Sequence, residues 1–154
     1  MSLVKDYMMR TLNSVCFNDT IEKAIKLMCN RELSVMPVVN ESNEFMGTIY
    51  SQNILKNILP ERYGLVGSKK HYLEITKAEE RLDEIKDRKI EEYMTSNITA
   101  VKEKDKMDKI ARIMLDNQES CIFVTNDNNN LRGYISRADL LLYLLDQSNN
   151  TGEE

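Results

Sequence analysis

Histidine occurs once in this chain, at position 71, so one molecule can assemble neither a histidine-based metal site nor a Ser-His-Asp triad. Most hydrolase mechanisms thereby lose their usual base. Cysteine is nearly as scarce. Cys16, Cys29 and Cys121 are odd in number, widely spaced and without a Cys-x-x-Cys pair, which argues against a disulfide framework or a zinc site and fits a reducing cytoplasm. No stretch approaches the roughly 18 consecutive apolar residues of a membrane span, and the opening MSLVKDYMM lacks the apolar core of a signal peptide. A basic excess is missing too. The chain has 21 Lys and Arg against 25 Asp and Glu, net −4, and apart from Lys69-Lys70-His71 the cations are scattered, which argues against nucleic acid as a partner. What is present suffices for a core: 154 residues, 42% of them hydrophobic, make one compact domain or two small modules sharing a core.

The chain repeats itself. Sliding it by 86 positions lays VKDYMMRTLNSV (4–15) on IEEYMTSNITAV (90–101), IEKAIKLM (21–28) on MDKIARIM (107–114), SVMPVVN (34–40) on SCIFVTN (120–126), and FMGTIYSQNIL (45–55) on LRGYISRADLL (131–141), without a gap. Each copy predicts a helical turn near Val4 to Met8, an extended segment near Leu12 to Val15, and an amphipathic helix on Ile21, Ala24, Ile25 and Met28 or their counterparts Met107, Ile110, Ala111 and Met114. Asp19 before Glu22, and Asp105 before Asp108, read as carboxylate capping boxes, and the helix methionines read as core. Two strands follow, Val35–Asn40 with Phe45–Tyr50 and Cys121–Asn126 with Leu131–Ser136, joined by ESNE and DNNN. A closing helix, Ser51–Leu59 or Arg137–Leu145, completes a β-α-β-β-α unit too small to be comfortably stable alone.

The opening YM, the LSVMPVVN run (33–40) and GYISRADLL (133–141), in this order and repeated, resemble a tandem pair of cystathionine beta-synthase (CBS) domains, a Bateman module. The resemblance covers 4–59 and 90–145. It implies an α/β (α+β) fold of two β-α-β-β-α repeats packed through their sheets with pseudo-two-fold symmetry. It also implies a regulatory module rather than an enzyme, with no obligatory cofactor. Its ligand would be adenosine-containing (AMP, ADP, ATP or S-adenosylmethionine), held in a cleft between the repeats. The partners implied are a second copy, in a homodimer, and an effector protein.

Carried over by the same resemblance, Asp139 would accept the ribose hydroxyls, Ser136 would contact phosphate and Arg137 would add charge nearby. Leu12, Asn13, Leu33, Ser34, Val35 and Pro37 would hold adenine. The chemistry suits these roles, because an ionised carboxylate accepts at two oxygens and a helix N-terminus offers free amides to an anion. Taken alone, however, Ser136-x-x-Asp139 is also a capping box that needs no ligand. The first repeat departs from the pattern, with Tyr50 and Asn53 in place of Ser136 and Asp139, and Phe123 stands where the first repeat has Pro37. One competent site is therefore expected. The domain boundaries expected are 1–59, a 60–89 insertion with a helix over 76–88 opened by Thr76, 90–147, and a disordered tail over 148–154.

Overall fold

A computed structural model describes residues 2–10, 13–59, 68–96 and 100–152. The elements run α1 (Val4–Tyr7), β1 (Val15–Cys16), α2 (Ile21–Arg31), β2 (Val35–Val39), β3 (Phe45–Tyr50), α3 (Ser51–Ile58) and α4 (Ser68–Ile85). A 3₁₀ turn at Ile90–Glu92 is followed by β4 (Val101–Lys102), α5 (Met107–Asn117), β5 (Cys121–Thr125), β6 (Leu131–Ser136) and α6 (Arg137–Gly152). The strands form two three-stranded sheets, β1-β2-β3 and β4-β5-β6. In both, the short first strand is parallel to the second, with Val15 opposite Val38 and Val101 opposite Val124. Both expected β-α-β-β-α units are present.

The units of packing are not the units of sequence. One compact unit comprises Met1–Asn13, Ser42–Phe45 and Thr99–Glu154; the other comprises Ser14–Glu41 and Met46–Ile98. Each opening segment therefore belongs with the body of the other repeat. In the second-repeat unit, Val4 and Met8 are buried with Val101, Met107, Ile110, Met114, Ile122, Val124 and Ile135. In the first-repeat unit, Ile90 joins Val15, Ile21, Ala24, Met28, Met36, Val38, Ile49 and Ile54, with Tyr93 and Met94 packed alongside. Eight of the nine positions in each core correspond at the 86-residue offset, Met94 and Leu140 being only partly buried where Met8 and Ile54 are buried, and the helix methionines are core as expected.

The exchange is held by backbone. The Met9 and Tyr134 peptides exchange N–H···O bonds of 2.8 and 3.0 Å, and Thr48 and Thr95 exchange bonds of 2.9 and 2.7 Å. The approach is so close that a Cβ on Gly133 would collide with the Met9 carbonyl and one on Gly47 with the Thr95 carbonyl. Glycine is required at both places for lack of a side chain. The two hairpin loops are also matched. Asn43 donates from its side chain to the Leu131 carbonyl and Asn129 to that of Phe45, and both asparagines sit at positive φ, where this residue type is tolerated. Phe45 packs on Phe123 with ring centroids 5.7 Å apart.

Three local readings need correction. Asp19 and Asp105 do not cap helices; their carboxylates accept from the Cys16 and Lys102 N–H groups, each at 2.8 Å, closing the turn after the first strand. The cap of α2 is Thr20, whose hydroxyl accepts from Lys23 N–H. In the insertion, α4 begins at Ser68 rather than Thr76 and stops at Ile85, because the carbonyls of Lys86 and Arg88 turn to accept from Glu22 and Ile21. The helix-favouring run of Lys69, Lys70, Leu73 and Glu74 accounts for the earlier start. Pro60, Gly64 and Gly67 lie outside the described residues. Finally, α6 continues to Gly152 where a disordered tail is expected, with no helix breaker before that glycine and Tyr7 Oη donating to Asp146 at 2.8 Å. By contrast α3 ends at Ile58, Leu59 being forced into extended backbone by the proline that follows it.

Gly133→Ala is expected to destabilise the protein by about 2 kcal/mol through overpacking, seen as a lower urea midpoint at unchanged slope. Asp105 supplies a second test. Its partial burial opposes ionisation, but the Lys102 N–H and the Lys109 ammonium outweigh that and hold its carboxyl below the ordinary value. A depressed pKa stabilises the fold above the unfolded-state value near ~3.9, and this contribution is lost as pH falls through the folded-state value. Asp105→Asn should therefore cost about 1 kcal/mol at neutral pH, and urea titrations at descending pH should show the difference from wild type closing below about pH 4.

Candidate functional site

At the junction of β6 and α6 the chain leaves the sheet and enters the helix at once. Ser136 N–H and Ser136 Oγ both donate to Asp139 Oδ2, at 2.8 and 3.0 Å, and Asp139 N–H lies 3.3 Å from Ser136 Oγ. The capping box predicted from spacing is therefore complete. It also orients the carboxylate: the described hydrogen bonds to Asp139 all fall on Oδ2, and Oδ1 accepts none of them. Ser136 and Asp139 are both half-buried.

Arg137 is exposed and turned toward α5. Its N–H donates to the Ser120 carbonyl at 3.3 Å and its Nη2 to the Gln118 carbonyl at 3.0 Å. Gln118 ends α5 in the left-handed conformation, so the guanidinium meets a helix C-terminus, where carbonyls lack partners and a cation is favoured. A guanidinium has five N–H donors, and this bond uses one of them.

The corresponding junction in the first repeat is built differently. Tyr50 precedes α3 without a side-chain cap bond, and Asn53 Nδ2 donates to Thr95 Oγ1 at 3.1 Å. The residue aligned with Asp139 thus serves the exchanged segment. The backbone bond is nevertheless retained, Ser51 N–H donating to the Ser34 carbonyl at 2.9 Å as Arg137 does to Ser120.

Of the residues singled out from the sequence, Ser136, Arg137, Asp139 and Asn13 fall in the second-repeat unit, and Leu33, Ser34, Val35 and Pro37 in the first-repeat unit. Leu33 and Ser34 are exposed, Val35 is half-buried and Pro37 is buried in β2. Leu12 lies outside the described residues. Among the described residues, no group of His, Cys, Asp and Glu could hold a metal ion, and no helix is long and apolar enough to cross a membrane.

Cys121, read from the sequence only as one of three unpaired cysteines, also borders this junction. It sits directly across the antiparallel β5–β6 ladder from Ser136, a placement the two expected strands could have supplied. Burial, then the charges of Glu119 and Asp139, push its thiol up to about 12. Cys29, in contrast, is exposed. At pH 8, iodoacetamide should alkylate Cys29 at least about ten-fold faster than Cys121, because the thiolate is the nucleophile; timed peptide mass mapping checks this.

The profile of the CBS domain matches residues 4–60 and again 90–146. Uncharacterized protein MJ1426 of Methanocaldococcus jannaschii is 27% identical over 93% of this chain and 91% of its own length. Homoserine O-acetyltransferase of Methanococcus vannielii is 28% identical over 90% of this chain, which spans only 24% of that protein. Among solved structures, CBSX2 in complex with AMP superposes with a TM-score of 0.71 at 15% identity, covering 96% of this chain and 99% of that one. A CBS domain-containing protein from Bacillus anthracis gives 0.75 at 20% identity, covering 95% and 94%. The twofold match, at the boundaries of the two β-α-β-β-α repeats, shows that the chain belongs to the CBS domain family and carries the domain as a tandem pair.

Proposed function

We propose that this CBS pair is a regulatory sensor of an adenosine-containing ligand: AMP, ADP, ATP or S-adenosylmethionine. The observation that carries the reading is the geometry of Asp139. Its Oδ2 is committed to the cap while Oδ1 takes none of the described bonds, so one residue can serve as cap and as ribose acceptor together. Ser136 and Arg137 supply hydroxyl and charge toward phosphate, and Leu12, Asn13, Leu33, Ser34, Val35 and Pro37 supply the adenine contacts. The likeness to CBSX2, solved with AMP, supports this ligand class. The first repeat, with Asn53 tied to Thr95, offers no equivalent carboxylate, so one site per chain is competent.

Ligand binding alters the relative stability of two arrangements of the pair, which requires different affinities for the two. A second copy in a homodimer, or an effector protein in the cytoplasm, reads the change. The module regulates and does not catalyse: its single histidine has no acid–base role that the sequence supports. A second reading, a ligand-independent scaffold, is favoured by one observation: the Ser136–Asp139 box is already satisfied within the chain.

Calorimetric titration with AMP, ADP, ATP and S-adenosylmethionine separates the two. Asp139→Asn retains an oxygen for the cap but removes the charge, whereas Asp139→Ala removes both. Hydrogen bonds to a charged group contribute roughly 1.5 to 3 kcal/mol, so both variants should lose about ten- to hundred-fold in affinity for the ligand that binds wild type near one per chain. No binding by wild type, or equal binding by both variants, selects the scaffold.

A further inference from the structure

The first-repeat unit carries an apolar groove of its own, apart from the Ser136–Asp139 junction, which falls in the second-repeat unit. Helices α2, α3 and α4 enclose about 350 Å³. Met28, Ile54 and Ile58, all buried, line it from the core side, and Leu33 and Leu55, 38 and 43% exposed, line it from the solvent side. Leu82, from the insertion, adds a wall. Two small side chains, Cys29 and Ser51, leave the space open; at the 86-residue offset the second repeat has Leu115 and Arg137 in their places.

Water in such a groove finds few polar partners, so an apolar occupant is favoured over it. The volume lies within the roughly 300–1,000 Å³ of small-molecule pockets, and at roughly 30 Å³ per heavy atom, the share of one water in the liquid, it admits an alkyl chain of about ten carbons. One end of the groove is cationic. Arg81 Nη1 donates to the Ile58 carbonyl at 3.4 Å, which holds the guanidinium at the end of α3, beside the lining. That bond takes one of five N–H donors, and none of the described ion pairs includes Arg81. A carboxylate is the planar acceptor that such a fork binds through two oxygens.

We propose that the groove binds a monomeric medium-chain carboxylate, its alkyl tail along Met28, Leu33, Leu55 and Leu82 and its carboxylate on Arg81. The two parts of the ligand answer the two parts of the site: a neutral alkyl chain leaves Arg81 unused, and a short carboxylate leaves the groove open. The site does not depend on the adenosyl reading, since Leu33 alone among the lining residues also enters the proposed adenine contacts.

Calorimetric titration of the full chain with decanoate, below its micellar concentration, should show about one site per chain, and affinity should fall about four-fold for each methylene removed, leaving hexanoate at least about a hundred-fold weaker. Arg81→Gln should lose about ten-fold for decanoate and nothing for decanol, whereas Leu55→Trp, a change at an exposed position, should fill the groove and weaken both. Cys29, exposed and in the lining, locates the site. Saturating decanoate should slow its alkylation by iodoacetamide at least about ten-fold and leave that of Cys121 unchanged. Absence of decanoate binding, or binding that does not protect Cys29, overturns the site. Protection of Cys29 with equal decanoate affinity in wild type and Arg81→Gln overturns the carboxylate as the ligand's head. Neither result touches the adenosyl reading, which stands or falls on the Asp139 variants.

Discussion

Two carbonyl oxygens lying against two glycine backbones hold this architecture in place. The Met9 carbonyl over Gly133 and the Thr95 carbonyl over Gly47 are approaches that any Cβ would block, and each is flanked by a reciprocal pair of backbone hydrogen bonds. Around these contacts the exchanged segments deliver their apolar residues. Val4 and Met8 enter one core and Ile90 the other, each fully or almost fully buried. A single β-α-β-β-α repeat lacks these residues from its own core, which adds to the shortage of buried surface expected of any 55-residue unit.

The features easiest to read from the sequence were those expressed twice. The repeat, the amphipathic helices and the strand pairs all follow from periodicity, and the observed cores obey the same 86-residue offset. The exchange of opening segments was not legible. Tyr7 and Tyr93, or Met8 and Met94, look alike, and an alignment of repeats carries no information on which body each segment joins. Local chemistry misled at the turns. Asp19 and Asp105 have the spacing of capping residues, but an N–H group three residues earlier is equally within reach, and there the turn geometry won. The start of α4 was missed for a similar reason: Thr76 resembled a cap, although the residues before it favour helix.

Symmetry of fold coexists with divergence of detail. The backbone bond from the first residue of each closing helix to the residue before the second strand is kept in both copies. The side chains beside it have separated in role. One junction carries a box closed by a carboxylate, and the other sends an amide to Thr95. Capping, adornment of a helix end and packing can each be met by several residue types, so the fold tolerates such change on one copy while the other keeps its chemistry.

The exchanged opening segment also orders events in time. During synthesis, the body of the first repeat emerges well before Ile90, Tyr93 and Met94, which complete its core, and before Thr95, which pairs with Thr48. Until then its sheet has an unpaired edge and its core an unfilled place, a condition in which chains associate wrongly. The segment from Val4 to Met9 must wait longer still, until Tyr134 and Ile135 are available. Closure over such sequence distances is entropically expensive and slow. The insertion between the repeats thus lies within the interval through which the nascent first repeat must remain incomplete.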